Sequence, residues 1–150
     1  MKIILEINDL AKSPILKSLL NIIAEKTLKE ADFSLKNKII SLEITLVSPP
    51  EIKKLNRRYR KINKVTDVLS FSEYKNTWEI EKDSAKNLFL GELILCYNEI
   101  KEYAQKQAIP VRQELVGVTA HGILHLLGMK HGKKMFRIQT KVINKIIKIK

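Results

Sequence analysis

The sequence predicts an α+β fold, a mixed β-sheet packed by helices, and three observations carry that prediction. Short Ile- and Leu-rich runs of strand composition recur up to Tyr97, helical spacing of apolar residues separates the earlier ones, and only helical patterns follow from Asn98 onward. At 150 residues the chain is of single-domain length, so residues 1–150 are read as one domain around one core.

Lys2 to Ile7, closed by Asn8 and Asp9, reads as the first strand. Ser13 is placed as an N-cap and Pro14 as the first residue of a helix in which Leu16, Leu19, Leu20, Ile23, Ala24 and Leu28 recur at helical spacing. From Ile39 to Val47, Ile40, Leu42, Ile44 and Leu46 alternate with Ser41, Glu43 and Thr45, the period of a half-exposed strand. Ser48-Pro49 opens a second helix carrying Ile52, Leu55 and Tyr59 on its apolar side, which assigns Tyr59 to the core rather than to stacking on a base. Val65 to Ser72 has strand composition. Glu73 to Lys86, with the only tryptophan, Trp78, reads as a polar loop or lid.

Leu88 to Tyr97 is a nearly continuous apolar run around Gly91, the pattern of a strand inside a sheet. Asn98 to Gln107 predicts a helix with Ile100, Tyr103 and Ala104 inward, and Pro110 starts another that reaches Leu127, apolar nearly all round and so buried. After Gly132 a last helix sets Met135, Ile138, Val142, Ile143, Ile146 and Ile147 on one stripe, with Lys and Arg opposite.

Charge points to the partner. The chain carries 28 Lys and Arg against 16 Asp and Glu, a net charge of +12, which favours an anionic partner, nucleic acid before others. Between Lys53 and Lys64, seven of twelve residues are basic, and after the last acidic residue, Glu114, come Lys130, Lys133, Lys134, Arg137, Lys141, Lys145, Lys148 and Lys150. Arg57, Arg58 and Lys61 are candidate phosphate contacts. The lone cysteine, Cys96, forbids an internal disulfide, and neither a secretory signal nor a membrane span is legible, so a cytoplasmic protein without a membrane role is expected.

The chemistry concentrates in Ala120 to Gly132, AHGILHLLGMKHG, which holds all three histidines. His121 and His125 stand one helical turn apart on one face. Gly128 supplies a residue free to adopt positive φ where the helix must end, so that the chain can turn back and bring His131 to the pair. Three imidazoles suit zinc, one ion per chain, and leave a fourth position open, the mark of a catalytic site. Cys96 reads as a small core residue; as a fourth ligand it would close the site and make the metal structural.

His-Gly-x-Leu-His-Leu-x-Gly-x-x-His resembles the signature of the YbeY family of zinc-dependent endoribonucleases, as do Leu55 to Arg60, Thr66 to Phe71 and Leu90 to Ile94 in the same order. The resemblance implies a zincin-like placement of the metal helix and a single-strand-specific endoribonuclease. Its role would be ribosomal RNA processing, in particular 3′ end maturation of small-subunit rRNA, and ribosome quality control, with rRNA and the ribosome as partners. Arg60 matches the arginine of the family's Tyr-Arg block and is assigned the stabilisation of charge developing on the phosphate. Asp67 and Glu92 are candidates for a supporting or general-base role. The chain departs from the usual pattern in four places: Lys130 replaces a common aspartate, Gly132-Lys133-Lys134 an acidic run, Val65 a proline and Glu92 an aspartate. Two other readings compete. A metallopeptidase would need a glutamate where Gly122 stands, and a noncatalytic RNA-binding assembly factor would need a closed structural metal.

Overall fold

Apolar residues at alternate positions make two-faced strands, and in the computed structural model, which describes residues 1–31 and 35–147, four of them form one sheet. β1 (Lys2–Asp9) leads through α1 (Lys17–Glu30) to β2 (Ile39–Leu46), and α2 (Pro49–Arg60) leads to β3 (Val68–Ser72). A short α3 (Thr77–Lys82) precedes β4 (Asn87–Leu95), and α4 (Tyr97–Gln107), α5 (Val111–Leu126) and α6 (Lys133–Ile146) complete the chain. The strand order is β1-β2-β4-β3, with β1, β2 and β4 parallel and β3 antiparallel at the edge. Parallel pairing of β1 and β2 needs a crossover, which α1 provides. The α+β fold with a mixed sheet is therefore the observed one.

The apolar α5 lies at the centre of the core, packed between the sheet and α1, α4 and α6. Leu115, Val116, Ala120, Ile123, Leu124 and Leu126 are all buried, as a helix apolar all round requires. The other face of the sheet is covered in part by α2, whose Ile52 packs with Val47, Leu69, Ile94 and Cys96. Among the described residues no helix is long and apolar enough to cross a membrane.

Several expectations are corrected. The first helix begins at Lys17, with Leu16 in the N-cap position and no side-chain cap, and not at Ser13-Pro14. The Asp9 carboxylate accepts the Ser13 backbone N–H at 3.0 Å and its hydroxyl at 2.9 Å, holding Ser13 in a turn after β1. The segment expected as a loop or lid contains α3, nucleated by Asn76, whose side chain accepts the Glu79 N–H at 2.9 Å as an N-cap. Tyr59 is not in the core but 55% exposed. α2 buries only Ile52 and Asn56, and at its exposed end the Tyr59 ring lies edge-on to Phe71 of β3 at 5.2 Å with the Arg58 guanidinium at 5.3 Å. Tyr103, expected inward, is 49% exposed because α4 buries only the narrow stripe of Ile100 and Ala104. β3 starts at Val68, so Val65 lies in an exposed loop. Of the C-terminal lysines, Lys148 and Lys150 lie outside the described residues.

Candidate metal centre

The site grows from the end of α5. Gly128 adopts φ +81° and closes the helix: its N–H bonds to the His125 carbonyl at 2.9 Å and the Met129 N–H to the Leu124 carbonyl at 3.1 Å, a Schellman closure. That turn sends the chain back past the helix, and His131 arrives with its ring centre 4.9 Å from His121 and 4.6 Å from His125. The three histidines offer one ligand atom each, all within 4.8 Å of one another, and could hold a metal ion. His121 and His125 are half-buried while His131 is exposed, so the group opens to solvent on one side.

Two hydrogen bonds fix the rings. His121 Nδ1 lies 3.2 Å from Gln139 Oε1 on α6, and His125 Nδ1 lies 3.2 Å from the Met129 carbonyl in the turn made by Gly128. Both acceptors are oxygens without a proton, so each Nδ1 donates and each neutral ring keeps its lone pair on Nε2. The two Nε2 atoms stand 3.0 Å apart, close to the spacing of about 3.3 Å for two nitrogens on a tetrahedral zinc. Burial lowers the pKa of both rings: for His121 desolvation leads, and for His125 desolvation is joined by His121, His131 and the Arg60 guanidinium. Both are thus kept in the neutral, metal-ligating form near pH 7.

Arg60 is exposed at the end of α2, and its positive charge adds to the lowering of the His125 pKa. In the same helix the buried Asn56 side chain donates to the Lys64 carbonyl at 3.0 Å and anchors the basic loop that follows. Lys61 turns that loop in the left-handed conformation at φ +62°, and Arg57, Arg58 and Lys61 are all exposed. Asp67 bears on His121 by its charge.

Glu92 is not at the centre. A bulge at Gly91, where a Cβ would lie 2.1 Å from the Phe71 carbonyl oxygen, shifts the register so that Glu92 falls opposite Glu43 and accepts the Thr45 hydroxyl at 2.9 Å. It shares the sheet face remote from α5, while Leu93 faces α5. Cys96 is also elsewhere, fully buried beside Ile52 and Leu69, so it cannot close the site. Among the described residues the group has three ligands. At Gly122 a Cβ would already meet Leu93 Cδ2 at 2.8 Å and Val68 Cγ2 at 3.4 Å, so packing against the sheet bars the glutamate that a peptidase needs there.

Two residues escaped the sequence reading. Gln139 follows Met135 by four, which places a polar side chain in the buried stripe of α6, and that misplaced polarity was its signal. Glu114 precedes His121 by seven on the same face of α5, and its pKa is raised by burial and by Asp67.

A comparison with protein families matches residues 6–147 to the family described as Endoribonuclease YbeY. Among curated proteins, an Endoribonuclease YbeY of Buchnera aphidicola is 38% identical over 109 residues, 69% of this chain and 67% of that protein. The Caldicellulosiruptor saccharolyticus protein of the same description is 34% identical over 136 residues, 87% of this chain and 85% of its own. The solution structure of TM1509 from Thermotoga maritima superposes with a TM-score of 0.65 at 28% identity, covering 95% of this chain and 89% of that one.

Proposed function

The chain belongs to the YbeY endoribonuclease family, and from that premise we propose that residues 1–150 act as one domain that cuts single-stranded RNA at a zinc ion held by His121, His125 and His131. The observation that carries the reading is the pair of Nε2 lone pairs aimed at one point, with each Nδ1 proton already committed elsewhere. A metal cation satisfies two such lone pairs at that spacing, and three imidazole donors suit zinc. When bound, zinc supplies Lewis acidity towards a phosphoryl oxygen and activates water near neutral pH.

The remaining work falls to side chains of this chain. Arg60 stabilises the charge that develops on the scissile phosphate. Arg57, Arg58 and Lys61 hold the RNA backbone as it crosses the end of α2, where exposed guanidinium groups can grip phosphates bidentately. Asp67, half-buried just before β3, is the carboxylate assigned to orient the attacking water or take its proton. In the cell the substrate is ribosomal RNA on the small-subunit particle in the cytoplasm, with 3′ end maturation as the step served.

Zinc content and cleavage of single-stranded RNA are to be measured for wild type and His125→Ala. About one zinc per chain and strand scission, both lost in the variant, are the expected result. Scission that persists in the metal-free variant would overturn the reading. An RNA with a single 2′-deoxy position at the cut separates attack by water, which tolerates it, from attack by the 2′-hydroxyl, which does not.

A further inference from the structure

Phe136 is the most exposed phenylalanine in the described chain, at 70%, and it stands on the wall of the histidine pocket. A recess of about 230 Å³ is lined by His121, His131, Gly132, Met135, Phe136 and Gln139. α6 docks on the core through Met135, Ile138 and Val142, and position 136 lies beside that stripe, so the ring takes no part in the docking. Gly132 leaves the space beside it open, since nothing lies within 4 Å of where its Cβ would be. The exposed side chains on the same turns are basic, Lys133, Lys134 and Arg137.

On the nuclease reading above, we infer that Phe136 is a stacking platform for the base next to the scissile phosphodiester, with Lys133 and Arg137 holding the flanking phosphate. A bare aromatic ring among cations matches single-stranded nucleic acid, whose bases each present a π-face and whose backbone presents negative charge. An apolar protein partner is disfavoured by the exposed cations on the same turns of α6, which it would have to desolvate. The placement gives Phe136 a positioning role: a base stacked on it fixes the neighbouring phosphate over the three imidazoles. It also accounts for single-strand preference, because a base paired in a duplex cannot lie on the ring.

The test has two readouts. Binding of a fluorescein-labelled single-stranded RNA oligonucleotide is measured by anisotropy on metal-stripped protein, for wild type, Phe136→Ala and Phe136→Tyr. Phe136→Ala should bind about 5- to 100-fold more weakly and Phe136→Tyr should recover most of the loss, as expected for one base–aromatic stack. The second readout uses zinc-loaded protein and oligonucleotides with an abasic ribose moved one position at a time across the cut. Wild type should lose cleavage efficiency at one position beside the cut, chiefly through a raised KM, and Phe136→Ala should be indifferent to the missing base there. Equal abasic penalties in wild type and Phe136→Ala, or unchanged binding in Phe136→Ala, would overturn the inference while leaving the nuclease intact. A wild type that neither binds nor cuts RNA would remove both.

Discussion

The Nε2 atoms of His121 and His125 face each other at 3.0 Å, each ring turned so that its Nδ1 proton points away to Gln139 or to Met129. Folding has thus aligned two lone pairs that repel until a cation lies between them. Metal should therefore stabilise the protein with the logarithm of its excess over Kd, by about 2.7 kcal/mol at a hundredfold excess. A thermal shift on adding zinc to stripped protein measures this, and a Tm that does not move would contradict the site.

The same rings set the response to acid. Burial holds the His121 and His125 pKa values below the usual 6.5, so as pH falls below about 6.5 the unfolded chain takes up protons before the folded one. Stability of the stripped protein is fully present above that pH and declines below it, and bound zinc is displaced over the same range as protons compete for the ligands. Zinc titrated out by dialysis should be gone at about pH 4.5, well below the free imidazole pKa. Retention of a full equivalent there would exclude three-histidine ligation.

Gln139 reaches His121 from a helix that contributes no ligand of its own. Gln139→Leu removes the acceptor that fixes the Nδ1 proton and frees the ring to rotate or change tautomer. Zinc affinity should fall about 10- to 100-fold, with the fold retained. Competition with a fluorescent chelator reads the change, and Gln139→Glu, which keeps an acceptor oxygen, should restore most of it.

Gly128 couples the site to the fold. At φ +81° a Cβ would be strained, and it would lie 2.5 Å from the backbone of Asn76 and Thr77, where α3 begins. Thr77 donates its hydroxyl to the Leu127 carbonyl at 2.9 Å, so the two segments are already in contact and neither can give way. Gly128→Ala should cost about 2–4 kcal/mol in chemical denaturation. It should also weaken zinc binding, because the Met129 carbonyl that orients His125 belongs to the same turn.

What was legible in the sequence is what depends on local spacing. The histidine pair needed only a four-residue interval, and the reversal at Gly128 needed only the glycine that follows the helix. What escaped depends on contacts distant in sequence or on a count of one. The bulge at Gly91 moves Glu92 to the opposite face by a single extra residue, which no alternation pattern within β4 reveals. The start of α1 was displaced because Asp9, in the preceding strand, claims Ser13. α3 has six residues, too few to show a period, and only its Asn76 cap announces it. Tyr59 and Tyr103 both lie at helical spacing from buried neighbours, but periodicity does not tell where the surface being covered comes to an end.

The catalytic role proposed for Arg60 is open to direct challenge by substitution. Its guanidinium is exposed and carries no structural ion pair among the described residues, yet its charge reaches His125. A surface arginine without a partner contributes little to stability, so Arg60→Ala should leave the unfolding midpoint within about 0.5 kcal/mol of wild type. Removing a cation whose charge helps to lower the His125 pKa should raise that ring's affinity for protons and leave zinc stoichiometry at one. Cleavage should nonetheless fall about a hundredfold or more in kcat, the magnitude of losing one charge-stabilising group in a transition state. Arg60→Lys keeps the charge without the planar fork, and a partial recovery separates electrostatic stabilisation from bidentate grip. Loss of zinc in Arg60→Ala would instead make this arginine part of the scaffold of the site.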